Sequence, residues 1–192
     1  MQWQWNHHAD DGAWSLFERP GWLRLATSGT ADRLTQARNM LTQRIYAFTN
    51  RPSLGTIRMD VSQLQEGDVA GICILQDPYA MLAVQKKDGK YQLFWRQDTL
   101  RTSNSFTPAE KRMDVEIDSV IYLRATVSYS TSKTQSYYSL DNVNYHPLGG
   151  ETTLGYNLSV FVGARYGIYC YATQEGSEGY ADFDWFTTED KF

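Results

Sequence analysis

Apolar residues in this chain recur at every second position and almost nowhere at the three- and four-residue spacing of a helix. The stretch Gly179-Tyr180-Ala181-Asp182-Phe183-Asp184-Trp185-Phe186 alternates without a break. As a strand it puts Ala181, Phe183 and Trp185 on one face and Tyr180, Asp182, Asp184 and Phe186 on the other. The first face suits a core. The second carries two carboxylates two residues apart, the place to look for a bound cation. Val120–Ser128 repeats the pattern, with Ile121, Leu123, Ala125 and Val127 opposed to Tyr122, Arg124, Thr126 and Ser128. Val69–Leu75 and Tyr79–Val84 are almost continuously apolar instead, the mark of strands covered on both faces.

Turn signals separate these runs. Arg19-Pro20-Gly21, Asn50–Ser53, Gln76-Asp77-Pro78 and the Asp88-Gly89 hairpin are examples. About a dozen strands follow, at spacings of about 8–12 residues. They include Gln2–His7, Trp14–Glu18, Trp22–Leu25, Asn39–Phe48, Leu54–Val61, Tyr91–Arg96, Met113–Ile117, Gln135–Leu140 and Val160–Tyr171. Thr27–Leu34 and Asp98–Ala109 read as polar loops, and Thr107–Lys111 has the composition of a single helical turn. The last strand is expected to close the chain beside the first. The fold class is all-β, a two-sheet antiparallel β-sandwich of the jelly-roll, concanavalin A-like kind. Residues 1–192 show no internal repeat and no linker, and read as one domain.

Composition narrows the function. Net charge is −4 without a basic run, which argues against nucleic acid. No apolar run approaches the length of a membrane span. Met1 leads directly into a strand, as in a mature or excised domain with an added start residue. The 13 Tyr and 6 Trp suit both strands and carbohydrate contact. Cys73 and Cys170 sit in apolar alternating runs and read as buried thiols, with a disulfide left open. His7-His8 beside Asp10-Asp11 reads as a solvated loop in preference to a metal site.

Catalytic patterns are weak. Asp114-Val115-Glu116-Ile117-Asp118 alternates carboxylates, as glycoside hydrolases of this shape do. From Glu116 the order is Glu-Ile-Asp-Ser-Val-Ile, however, and the closing Glu of the two-carboxylate pattern is missing. His7, His8 and His146 lie in polar loops, no nucleophile elbow occurs, and no glycine loop cradles phosphate. Asn157-Leu158-Ser159 is a formal glycosylation sequon.

Several stretches occur together in a characteristic order: Trp3–His7, Trp14-Ser15-Leu16, Glu18–Leu25, Leu41–Arg44, Asp68–Ile72, Ser139–Asn142, Phe161–Gly167 and Ala181–Phe186. As an ordered set, covering nearly the whole chain, they resemble the C-terminal concanavalin A-like β-sandwich of glycoside hydrolase family 43 enzymes, the β-xylosidases and arabinofuranosidases. The resemblance implies a domain without catalysis of its own, since in that family the catalytic carboxylates lie on a separate five-bladed propeller. Gln76-Asp77-Pro78-Tyr79 departs from the Tyr-Tyr-Asn often found there in β-xylosidases, which puts a simple exo-acting xylosidase parent in question.

Three expectations follow from that likeness. The first is a carbohydrate-binding module for xylan, arabinoxylan or a related β-glycan of plant cell walls. Its aromatic candidates are Trp95, Tyr79, Tyr166 and Trp22, and its polar candidates Gln76, Arg44 and Arg165. Each has an alternative place in the core or in an ion pair, and mid-strand Arg165 in particular calls for a carboxylate. The second is a structural partner that packs on the propeller and completes its active site; a free-standing hydrolase comes third. A structural Ca²⁺ is also implied, held by Asp184 of the last strand with Gln4 and Asn6 of the first, against the alternative that Asp182 and Asp184 are hydrogen-bonded to neighbouring backbone. A parent enzyme of this kind is expected outside the cytoplasm, secreted or periplasmic.

Overall fold

The computed structural model describes residues 3–46, 51–101, 103, 105–155 and 163–190. Two antiparallel sheets pack face to face. One runs in the order β1 (Trp3–Trp5), β4 (Met40–Arg44), β14 (Arg165–Ala172), β6 (Asp68–Leu75), β7 (Tyr79–Lys87), β8 (Lys90–Asp98) and β9 (Ala109–Asp114). The other runs β12 (His146–Pro147), β11 (Lys133–Ser139), β10 (Val120–Ser128), β5 (Ser53–Asp60), β15 (Tyr180–Asp190), β3 (Leu23–Ala26) and β2 (Trp14–Ser15), with β13 (Thr152–Thr153) beside β11. Among the described residues the only helical pieces are 3₁₀ turns at Asp11–Ala13 and Leu34–Gln36.

Strand alternation builds the core. The buried residues of β10 are Ile121, Leu123, Ala125 and Val127. They belong to one cluster with Ile72, Ile74, Leu82, Val84, Leu93 and Ile168 of the facing sheet. Asp88 and Gly89 both have positive φ (52° and 72°), the geometry that a two-residue hairpin turn needs to match strand twist.

All eight residues of β6 are buried, because the seven-stranded sheet is covered twice. Its outer face carries Cys73, Tyr79, Met81, Ala83, Phe94, Tyr169 and Tyr171, under a lid formed by Ala31, Leu34 and Ala37. Part of the expected polar loop Thr27–Leu34 is therefore a core-covering strap. It is pinned where the Ala31 amide donates to the Ala172 carbonyl at 2.8 Å. The two cysteines lie on opposite faces of this sheet, Cys73 under the strap and Cys170 in the inter-sheet core, and both are free thiols.

Four sequence expectations change. β1 pairs with β4, while β15 pairs with β3 and β5 in the other sheet, so the first and last strands meet only through side chains across the sandwich. β15 bulges at Asp184: Phe183 pairs with Met59 and Trp185 with Arg58, one position on. The extra residue flips the alternation. Phe186 turns inward, 5.0 Å from Trp3 and 5.4 Å from Tyr166 between ring centroids, and Trp185 turns outward beside Tyr122. Ala109–Lys111 opens strand β9 rather than a helical turn, and that strand ends at Asp114, leaving Glu116 and Asp118 in an exposed connection. Gln2, 47–48, the sequon at 157–159 and 160–162 lie outside the described residues.

Candidate functional site

Two regions gather functional side chains. The first is a cleft of about 610 Å³ at the edge of the sandwich, lined by Trp3, Trp5, Trp14, Trp22 and Trp185 with Phe183 and Phe186. Five of the six tryptophans meet there. Its cause lies in strand lengths. β3 pairs with β15 only as far as Phe183, so Asp184 to Phe186 lack a neighbour on that side. On the facing sheet β1 is itself an edge, and its Trp3 and Trp5 point into the gap. The rings pack on one another: Trp5 lies 5.6 Å from Trp14 at 51°, and Trp3 meets Phe186 edge-on. Beside the cleft, Leu16 is 53% and Phe17 89% exposed. Among the sequence candidates Trp22 and Asp184 belong here, and one face of the Trp22 ring holds the Arg19 guanidinium at 3.7 Å.

The carboxylate face of β15 is held by arginines. Asp182, buried at 3% exposure, accepts from Arg24 Nε (2.8 Å) and Nη2 (3.0 Å) and from Arg19 Nη1 (3.2 Å). Arg19 also donates to Asp60 at 2.8 Å, and Arg58 donates to Asp184. Each of the three Ca²⁺ candidates has a protein partner: Asp184 faces the Arg58 guanidinium, Gln4 Oε1 accepts from Arg165 of the same sheet, and Asn6 Nδ2 meets His7. Among the described residues no group of three His, Cys, Asp or Glu is placed to hold a metal.

The second region is the outer face of the seven-stranded sheet at one end. Cross-strand register sets Arg44 opposite Arg165, Arg165 opposite Leu75, and Tyr79 opposite Asp98. Sequence candidates Arg44, Arg165, Tyr79 and Gln76 thus fall on or next to one row. Arg165 Nη1 donates to Gln4 Oε1 (3.1 Å) and Thr42 Oγ1 (3.2 Å), while its Nε is buried with no acceptor. Its pKa is lowered, by burial first and then by the charge of Arg44. Gln76 is 8% exposed and its Oε1 has no donor. Tyr79 is fully buried beneath the strap, and burial pushes its phenol up to about 12. Tyr46, 72% exposed two residues past Arg44, was not among the sequence candidates.

The remaining aromatic candidates are core. Trp95 is 4% exposed and packs under Gly149, where an added Cβ would sit 2.0 Å from its ring. Tyr166 is fully buried against Gly55, with its hydroxyl donating to Ser53 Oγ at 2.9 Å. Neither ring, nor that of Tyr79, offers a face to a sugar. The tryptophan cleft was the feature missed, although four of the six tryptophans lie within the first 22 residues.

A two-sheet antiparallel sandwich with this topology is a concanavalin A-like domain. The chain belongs to the family described as the beta xylosidase C-terminal concanavalin A-like domain, which matches residues 1–189. It is 29% identical over 209 residues to a beta-xylosidase of Formosa agariphila, a match that takes in 97% of this chain and 33% of that protein. Among solved structures it is similar to a bifunctional GH43-CE protein of Bacteroides eggerthii, with TM-score 0.88, 37% identity and coverage of 99% of this chain and 24% of that one. It is also similar to a GH43 glycoside hydrolase engineered to display both endo-xylanase and exo-arabinofuranosidase activity, with TM-score 0.84, 25% identity and coverage of 98% and 38%. The chain spans about a third of the length of the beta-xylosidase it matches.

Proposed function

We propose that the chain is the non-catalytic accessory domain of a xylan-degrading family 43 glycoside hydrolase, seated on the catalytic propeller through the tryptophan cleft. The observation that carries this reading is the convergence of five tryptophans on one open edge, flanked by exposed Leu16 and Phe17. Contiguous exposed apolar surface of this kind marks a docking face. Trp3 meets Phe186 edge-on, Trp5 tilts against Trp14 and Trp22 lies under Arg19, which suits burial against a partner better than stacking on a pyranose.

The test uses the upstream region of the parent enzyme, produced separately and mixed with this chain in sedimentation velocity runs. A complex is expected, together with a raised Tm, and Phe17→Asp should weaken it while leaving the domain folded, because Phe17 is 89% exposed. No complex and no change in Tm would sink the docking reading. Substrate, partner and a secreted or periplasmic location all belong to the parent enzyme in this proposal.

Glycan binding by the domain itself is a second reading. It is favoured by the outer-face row, where Arg44 faces Arg165 and Arg165 meets Gln4, with exposed Tyr46 two residues past Arg44. Affinity electrophoresis against xylan, arabinoxylan and β-glucan tests it; unretarded migration on all three would remove it.

A further inference from the structure

We infer that Arg44 and Arg165 form a subsite for the carboxylate of a uronate-bearing glycan, on the outer face of the seven-stranded sheet and separate from the tryptophan cleft. This inference deepens the glycan-binding reading and rests on it.

The two arginines are direct cross-strand partners. Like charges placed so are destabilising, with Cβ atoms about 4.5–5.5 Å apart. Six arginines, Arg19, Arg24, Arg33, Arg58, Arg96 and Arg112, each meet a carboxylate. Among the described residues Arg44 and Arg165 meet none, as is also true of Arg38, Arg101 and Arg124, but of these five Arg44 and Arg165 face each other across a strand pair. Arg165 is nevertheless held in place by Gln4 and Thr42, so its guanidinium is oriented before any ligand arrives. Its buried Nε still lacks an acceptor. An oriented guanidinium without an anion, next to a second one, is the arrangement that takes a carboxylate through paired charge-assisted hydrogen bonds. The lowered pKa of Arg165 agrees with a cation left uncompensated.

The surroundings select a sugar acid over a simple anion. Gln76, next to the row, is more than nine-tenths buried, and its unpartnered Oε1 lies beneath the surface rather than on it. The Gln4 amide lies beside Arg165 on an exposed side chain. Tyr46 presents an exposed ring of the kind that pyranose faces cover. The chain as a whole carries a net charge of −4, so attraction of an anion has to come from this local pair.

The experiment is calorimetry on the 192-residue chain with three probes: a xylo-oligosaccharide carrying one glucuronate, the same oligosaccharide without it, and an acidic peptide of similar charge. The uronate-bearing sugar should bind about tenfold tighter than the neutral one, the equivalent of one charge-assisted contact. Arg44→Gln should abolish that preference without lowering Tm, since Arg44 is exposed, faces a like charge and meets no carboxylate among the described residues. Arg165→Gln should do the same to the preference. Equal binding of the acidic and neutral sugars overturns the inference while glycan binding stands. Binding of neither sugar overturns both. Equal binding of the acidic peptide makes the pair a protein contact and likewise overturns the assignment.

Discussion

Replacing Asp182 by Asn separates a structural role for the β15 carboxylates from a metal-binding one. The wild-type side chain is 4% exposed and accepts two bonds from Arg24 and one from Arg19. Removing one partner of a buried ion pair costs about 3–5 kcal/mol, because the other charge stays desolvated. Two features pull the value toward the lower end. Arg19 keeps Asp60 at 2.8 Å and is 36% exposed, so water and a second carboxylate compensate it. Arg24 is 19% exposed but keeps only Glu18 at 3.8 Å, with its guanidinium stacked on Tyr180 at 3.7 Å. A loss of about 3 kcal/mol is expected. At about 2–4 °C per kcal/mol for a domain of this size, Tm falls by about 6–12 °C. Urea unfolding followed by tryptophan fluorescence reads it as a shift in midpoint at constant slope. Asp184→Asn should cost about 1 kcal/mol at most, since that pair is 26–30% exposed and well screened. A loss below about 1 kcal/mol for Asp182→Asn would refute the reasoning, because a buried network of this kind cannot be removed so cheaply. So would a fall in wild-type Tm on adding a chelator, reversed by calcium.

Three further perturbations probe the core. Gly55→Ala should cost about 1–3 kcal/mol by overpacking, because the new Cβ would meet three ring atoms of Tyr166 at 2.5–2.8 Å; wild-type stability in thermal unfolding would contradict that contact. Cys73 and Cys170 are buried, and burial pushes both thiols up, so neither should react with a disulfide reagent until urea unfolds the chain. Thiol release under native conditions would contradict their placement. Burial raises the pKa of Asp68 despite bonds from Ser177 and Gln65. The folded state therefore holds that proton more tightly than the unfolded one, and the stability this supplies is present at low pH and lost as pH rises through the folded pKa. The stability of Asp68→Asn relative to wild type should accordingly improve from pH 4 to pH 7, and a constant difference in urea midpoint would count against the sign.

How much of this was legible from sequence depended on which faces of a strand are covered. β10 has one buried face, so its alternation is strict and both its ends and its core residues could be read directly. β6 has two buried faces, and its continuous apolar run said so. What covers the second face could not be read, because Ala31, Leu34 and Ala37 are three small or isolated apolar residues among Asp32, Arg33, Gln36 and Arg38. The bulge at Asp184 was invisible for a different reason. The local sequence alternates without interruption, and only the packing of Phe186 against Trp3 and Tyr166 shows why the register slips. The same limit applies to the candidate site. Arg44, Arg165 and Gln76 are readable as polar groups that a core would not want. Whether an aromatic ring is a platform or a brick depends on what faces it, and for Trp95 and Tyr166 the answer lies in glycines far off in sequence, Gly149 and Gly55.

Strand β1 ties the two sites together. It is three residues long, and strand alternation splits its side chains between them. Trp3 and Trp5 face the cleft, while Gln4, on the opposite face, accepts from Arg165 and so helps orient the guanidinium. Among the described residues only β4 pairs with β1, at the edge of its sheet, and Trp3 and Trp5 pack against the core. A partner seated in the cleft would bury those tryptophans further and hold β1 against β4. Gln4 would then be fixed on the far face, and with it the donor geometry of Arg165. The proposed docking and glycan recognition would need no long path between them, because a single strand whose successive side chains point to opposite sides touches both regions. The weak pairing that makes β1 an edge is also what would let occupancy of one site bias the other.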